Sequence, residues 1–441
     1  MLPSDTRNAG NGNRRNVRPV ILSAFGPPSL ACIRSWGSKG YAVGMVCIRS
    51  KEEPTPRCKY LEEWIDLPQR QLYTQDGIRI IHQFLEEFKA DGIVCISENI
   101  ALWLNSHQEM FLPGFHLWFP PNSVIQDLLS KRRQVEVAQR TGFDLLPTFL
   151  IHKDAKSIDG FSQEHFPLCL RPTREGTTTP RFKVHLVYSR DELRKYIDSL
   201  IKIEEPIIAQ PFRSLPNLVV HGARTIEGHS IGLQAFLVER KFEGLTLTIR
   251  PTGMGEKLRR QCIKFTDEFG VTGNYHFEFL TDKKNGAIYF LELNNRLGGT
   301  TAKVFALGYD EPLLALQAYG VIGDDHRSAI LPCPFVTKIH QQSARNRDSA
   351  TDDHQPSAIN HQPLLNKTAS SKQALLKYLF YTLKNKLTPL DYPQEPKFIR
   401  VVKTIYGIFR YRDDVLTLKD WRGSFAHYFG SVKNRIKVQM I

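Results

Sequence analysis

The sequence lacks any uninterrupted run of about 18 apolar residues, which argues against a membrane-spanning helix. Its seven cysteines show no C-x-x-C pair and no repeated spacing. That argues against a disulfide framework or a zinc ribbon and fits a reducing cytoplasm. The glycine-rich phosphate loops G-x-x-x-x-G-K-[ST] and G-x-G-x-x-G are both missing. The 14 histidines form no H-E-x-x-H or other metal-ligand spacing. No internal repeat is present. The first twenty residues are charged but have no apolar core, so they do not read as a secretory signal.

What remains is a chain of 441 residues, 41% hydrophobic and 24% charged, long enough for roughly three domains. Its net charge of +14 is uneven. Residues 331–441 carry 18 Lys/Arg against 8 Asp/Glu, and residues 1–20 carry four Arg against one Asp. The body between them is nearly neutral, so a specific nucleic-acid partner is not expected. The basic ends suit a peripheral membrane or polyanion contact, or serve only solubility.

Residues 1–18 are polar and expected to form a disordered tail. Residues 19–123 read as an α/β domain with a parallel sheet. Apolar runs at Val20–Phe25 and Tyr41–Ile48 flank a helix capped by Ser29 and ended by Gly40. Ile78, Ile81, Leu85 and Phe88 fall at helical spacing before the strand Ile93–Ser97. Residues 124–330 read as an α+β body. Its elements are a helix over 124–141, strands near Thr148–Ile151, Pro167–Pro172 and Ile207–Phe212, a Ser189–Glu192 capping box, β-rich runs over 218–250 and a helix over Met254–Phe269. Residues 341–372 are aperiodic and polar, a linker. Residues 373–441 form a basic, partly helical extension. Its leucines at 375, 376, 379, 383 and 387 predict a basic amphipathic helix, which could lie on a membrane surface but more commonly packs on the body. The aromatics of FIRVVKTIYGIFRY (398–411) interleave with basic residues and are expected in a packed core, with stacking on nucleic-acid bases as the alternative.

The stretch YHFEFLTDKKNGAIYFLELNNRLGGTT (275–301) carries the chemistry. Lys283–Gly286 predicts a hairpin turn. With the turn centred near Asn285, Glu278 and Glu292 face each other across the ladder, where like charges destabilise unless a cation lies between. Mg²⁺ suits such oxygen ligands. Asn294 shares the face of Glu292 and offers an amide oxygen. Arg296 continues that face toward phosphate or carboxylate. Gly298-Gly299 would allow close approach to a ligand.

The Glu278…Glu292-Leu-Asn294-Asn-Arg296-Leu-Gly298-Gly299 pattern resembles the metal-binding end of the ATP-grasp superfamily. The resemblance spans roughly residues 20–320, and FGPPSLACIRSWGSKGYAV near the N-terminus resembles predicted carboxylate–amine ligases of that superfamily. The C-terminal RDDVLTLKDW resembles the same ligases and is expected to be structural. The resemblance implies a pre-ATP-grasp domain followed by an ATP-grasp fold of two subdomains hinged near 209–212. It implies ATP with Mg²⁺ (or Mn²⁺) held by Glu278, Glu292 and Asn294. Lys131 and Arg171 are implied at the phosphates, Arg171 standing where the family usually has Lys. Gln210, Pro211 and Phe212 fall at the adenine-reading hinge, and Glu175–Thr179 at the loop over the phosphates. Arg296 and Arg250 are implied to stabilise the transferring phosphoryl group and the acyl phosphate. Arg240, Lys241 and Glu227 read chiefly as surface residues.

The function so implied is an ATP-dependent ligase. A small-molecule carboxylate becomes an acyl phosphate and passes to an amine, less often a thiol, with ADP and phosphate released. The alternative is a non-catalytic ATP-binding scaffold acting at an anionic surface through the C-terminal region.

Overall fold

The computed structural model describes residues 17–50, 53, 55–154, 156–282, 284–322 and 367–428. Its first apolar run becomes the central strand of a five-stranded sheet. The strands are β1 (Pro19–Ser23), β2 (Val43–Ile48), β3 (Leu61–Leu67), β4 (Gly92–Cys95) and β5 (His116–Leu117). Their order is β3-β2-β1-β4-β5, with every pairing parallel. β1, β2 and β4 are buried throughout, as continuous apolar strands covered on both faces must be. Val20 and Leu22 pack toward α2 (Gln75–Phe88) and α3 (Glu98–Asn105), while Ile21 packs toward α1 (Pro27–Gly37).

Two local expectations change here. Gly26, not Ser29, starts α1, because Pro27 and Pro28 fill first-turn positions that need no N–H. Ser29 lies inside, its Oγ accepting the Gly26 N–H at 3.0 Å. Residues 1–16 of the predicted tail lie outside the described residues. Val17 is buried, and Arg18 donates to the Phe88 carbonyl at 2.7 Å, so these two belong to the sheet domain.

The single helix read over 124–141 is two, α4 (Asn122–Leu129) and α5 (Lys131–Arg140). They break at Ser130, which is extended (φ −86°, ψ 102°) and caps α5 through its Oγ. The freed Lys131 N–H donates to the Thr173 carbonyl at 2.8 Å. Next come β6 (Phe149–Ile151), α6 (Lys156–Asp159), β7 (Leu168–Pro172), β8 (Thr178–Thr179), β9 (His185–Val187), α7 (Arg190–Ser199), β10 (Lys202–Ile203) and β11 (Ile207–Pro211). Four form an antiparallel sheet, β6-β11-β7-β9, and β8 pairs with β10. Ser189 caps α7 as expected, but Glu192 reaches the Tyr188 N–H.

The largest sheet has seven strands: β12 (Asn217–Arg224), β13 (Ser230–Phe242), β14 (Leu245–Thr252), β15 (Gly273–Asp282), β16 (Ala287–Asn294), β17 (Ala369–Ser370) and β18 (Arg412–Asp413). Their order is β16-β15-β12-β13-β14-β17-β18. Against one face, α5 and α8 (Glu256–Phe269) enclose Phe143, Phe265, Phe277, Phe279 and Phe290. Against the other lie α9 (Thr301–Ala306) and α10 (Glu311–Ala318). Gly270 ends α8 at φ +63°, where glycine has no Cβ penalty.

The C-terminal residues complete this sheet. The predicted linker 341–372 lies outside the described residues up to 366. Its end instead forms β17, which pairs along β14. The helix Lys372–Leu383 buries Leu375 and Tyr378 with Phe242 and Leu247, as the packed reading expected. Arg240 is not at the surface: it is buried and donates to Glu395 at 2.9 Å. The packed core expected for 398–411 is overturned. The helix Lys397–Arg410 buries only Thr404 and Gly407 and turns its aromatics outward. Gly407 is what lets the Tyr411 ring close in, since a Cβ there would lie 2.6 Å from it. Among the described residues no helix is long and apolar enough to cross a membrane.

Two buried ion pairs fasten this segment. Lys303 meets Asp414 at 3.0 Å, and Arg34 of α1 meets Asp420 at 2.9 Å. Asp420 also accepts from the Cys58 thiol and the Lys59 N–H. Burial pushes the Asp420 carboxyl up, but the Cys58 and Arg34 hydrogen bonds outweigh it and hold it below the ordinary range. Its contribution is therefore whole above about pH 4 and is lost as pH falls through the depressed folded value. Asp420→Asn should cost about 3 kcal/mol, because Arg34 keeps its buried charge without a counter-charge. Urea unfolding and faster proteolysis after residue 412 would register it. An unchanged midpoint would show that the pair is dispensable.

Candidate functional site

β15 and β16 form the predicted hairpin. At its tip the Ala287 N–H donates to the Asn285 side-chain oxygen at 3.0 Å, and Gly286 takes φ +73°. The register sets Glu278 opposite Glu292 and His276 opposite Asn294. Nearer the turn Phe279 pairs with Phe290, so Leu291 is one residue too many on β16. This bulge decides which way the carboxylate points. Strict alternation would put Phe290 and Glu292 on one face. With the bulge, Phe290 joins the aromatic core while Glu292 turns to the opposite face with Glu278.

Buried Gln134 of α5 holds the strand in place. Its amide accepts the Leu293 N–H at 2.6 Å and donates to the Leu293 carbonyl at 3.0 Å. This clamp brings Lys131, one turn earlier on α5, beside the carboxylates. Its Nζ lies 3.5 Å from Glu292 Oε2. Arg171 approaches from β7 of the smaller sheet, 3.9 Å from the same oxygen. Arg171 is itself held by Gln210, which accepts at 2.8 Å and donates onward to Thr148 at 2.9 Å. The cluster therefore sits between the two sheets. Asn294 lies 3.5 Å from Glu292.

The two carboxyls are driven apart. Burial and the Glu292 charge push Glu278 up to about 7, against Lys241, Arg296 and Arg171. Burial also pushes Glu292 up, but Lys131, Arg171 and the Asn294 hydrogen bond outweigh it and hold it below the ordinary value. The opposed carboxylates offer hard oxygen ligands, and Asn294, whose amide N–H here points at Glu292, would add its oxygen with the amide turned over; the repulsion within the pair is what a bound cation relieves. The set fits Mg²⁺ and not a thiolate- or imidazole-seeking metal.

Two members were not legible in the sequence. Lys241, read as surface, is turned inward on β13 and donates to Asn217 at 2.6 Å. Asn217 in turn lies 3.4 Å from Glu278. Burial lowers the Lys241 ammonium pKa, with Glu278 opposing. No sequence signal marked Lys241, because β13 is irregular between Val238 and Lys241 and simple alternation fails there. Glu227, the third surface candidate, is exposed as expected.

Arg296 donates to Glu98 at 2.6 Å, joining the site to the first residue of α3. Gly298 is required by the protein's own packing: a Cβ there would stand 2.8 Å from the His276 ring. Gly299 faces open space. Beneath them His221, His276 and Glu311 bring potential ligand atoms within 4.8 Å of one another. His221 spends its two ring nitrogens on Glu311 (2.9 Å) and Thr300 (3.1 Å), so this group is a buried bracket tying β12 to α10 and to the turn after Arg296.

The structure does not join Arg250 to the carboxylates. It stands on β14, separated from β15 by β13 and β12, and donates to Glu239 at 2.8 Å. At the hinge, Pro211 has no N–H and the Phe212 N–H is spent on the Pro167 carbonyl at 2.7 Å. Carbonyl oxygens are what these two residues can still offer. The loop Glu175–Thr179 is anchored at its far end by β8 on β10, and only its start stands clear.

The family model for the carbamoyl-phosphate synthase L chain, ATP binding domain, matches residues 250–310, the span of the carboxylate hairpin and Arg296. No curated protein matches the sequence. Solved structures do. N5-carboxyaminoimidazole ribonucleotide synthetase in its ADP complex matches at TM-score 0.53 and 14% identity, over 70% of this chain and 78% of that one. L-amino acid ligase from Bacillus licheniformis matches at 0.51 and 16%, over 68% and 74%. The biotin carboxylase domain of Hydrogenobacter thermophilus 2-oxoglutarate carboxylase, in complex with MgADP, ADP and bicarbonate, matches at 0.54 and 17%, over 68% and 70%. Likeness at this level speaks for the fold. Together with the two facing sheets and the Glu278-to-Arg296 motif, it gives the chain the ATP-grasp fold.

Proposed function

We propose that the chain is an ATP-dependent ligase joining a carboxylate to an amine. The observation that carries this reading is the opposed pair Glu278 and Glu292 ringed by Lys131, Arg171, Lys241 and Arg296. A substrate carboxylate oxygen attacks the γ-phosphorus of ATP, and the bond to the β,γ-bridging oxygen breaks, releasing ADP. The amine then attacks the acyl carbon and phosphate leaves, its proton passing to solvent or phosphate.

Glu278, Glu292 and Asn294 would hold Mg²⁺ or Mn²⁺. Bound there, the ion neutralises phosphate charge. Lys131 and Arg171 would take up the phosphate oxygens between the sheets, the first as a point charge and the second as a fork set by Gln210. Arg296, oriented by Glu98, would face the transferring group. Arg250 would need to leave Glu239 to reach an acyl phosphate. Little proton transfer is required in the first step, so positioning and charge placement do most of the work.

ADP release should be measured with a panel of carboxylates and amines, beside calorimetric titration of ATP with and without Mg²⁺. Glu292→Ala is expected to lower turnover on the order of 100-fold or more. Unchanged turnover would remove the pair from the reaction. Arg171→Lys keeps the charge but loses the fork on Gln210, and should raise the KM for ATP about tenfold with a smaller change in kcat. Mg²⁺-dependent ATP binding with no ADP released across a broad panel would favour the binding-scaffold reading.

A further inference from the structure

The helix Lys397–Arg410 is amphipathic, yet it is mounted with its apolar side outward. Phe398, Ile399, Val402, Ile405, Tyr406 and Phe409 recur at three- and four-residue spacing and so form one stripe. All six are exposed, Phe398 and Phe409 at 78% each. The inward side carries the small or polar Thr404 and Gly407 with the partly buried Ile408. The adjoining helix Lys372–Leu383 exposes Leu376, Phe380 and Leu383 as well. A contiguous apolar patch of this kind marks an interaction surface.

The charge around it is chiefly positive, and the exposed Glu243 beside it is answered by Lys377 at 2.6 Å. Neither helix contains an acidic residue. Between them, Asp391 is buried and Glu395 is neutralised by Arg240 and Lys403. Lys384, Lys386, Lys397 and Arg410 remain exposed, and Lys384 lies over the Phe380 ring at 4.2 Å. A second copy of the same face would set these cations against one another. A negatively charged bilayer matches both features: acyl chains receive the aromatic stripe, and the flanking Lys and Arg reach the headgroups.

We propose that these two helices form a docking surface for an anionic membrane, holding the protein at the bilayer without spanning it. The test is flotation of the full chain with vesicles of phosphatidylcholine alone and of phosphatidylcholine with phosphatidylglycerol. The wild type should float with the anionic vesicles, stay behind with the neutral ones, and be released by salt. Phe398→Ser with Phe409→Ser touches only exposed side chains and should lower vesicle partitioning on the order of tenfold or more. Should that variant fold poorly, Lys384→Gln with Lys386→Gln should still shift release to lower salt. Wild type that does not float would overturn the proposal. So would binding indifferent to both variants, or a dimer in light scattering that the phenylalanine variant dissolves, which would make the face a protein interface.

Discussion

Two carboxylates held face to face across a β-ladder are the constraint around which this molecule is arranged. Opposed like charges cost energy in a half-buried place, and the cost grows as water is excluded. The fold meets it by bringing cations from separate elements: Lys131 from α5, Arg171 from the smaller sheet, Lys241 from β13 and Arg296 from the turn after β16. The carboxyls respond unequally, Glu278 moving up to about 7 and Glu292 moving down. The asymmetry follows from unequal company: Lys131, Arg171 and the Asn294 hydrogen bond favour the Glu292 charge, while Glu278 is buried facing that charge.

That arrangement rests on backbone detail. The bulge at Leu291 lets one strand serve an aromatic core and a polar cleft in consecutive stretches. Gln134 fixes the bulged strand to α5, and the break at Ser130 aims Lys131 by tying its N–H to Thr173. The last two devices each spend a polar group on a backbone partner, as buried polar groups must be spent. The C-terminal segment is part of the same construction. It extends the large sheet through β17 and β18, takes up Arg240 and reaches back to α1 through Arg34 and Asp420. The helix it presents on the far side contributes little to the interior, which leaves its apolar stripe for something outside the chain.

Much of the fold was readable because its signals are local. Continuous apolar runs announced the parallel sheet, and the spacing of Ile78, Ile81, Leu85 and Phe88 announced α2. The Asn285-Gly286 turn announced the hairpin, and with it the pairing of Glu278 and Glu292. Other features depend on partners remote in sequence. Periodicity cannot tell whether an amphipathic helix turns its apolar side in or out, so 398–411 was misread as core. Nor can it reveal that Lys241 answers Asn217 and Glu278, or that Arg250 is engaged by Glu239.

The sequence by itself therefore determined the elements, the acidic pair and its Asn and Arg companions, since hydrogen-bonded periodicity and turn chemistry act over a few residues. Only the tertiary structure decided which cations surround that pair, which glycine is needed for packing and which apolar face is left uncovered. Those outcomes depend on distances between elements separated by tens to hundreds of residues, where electrostatics and excluded volume operate on space and not on chain order.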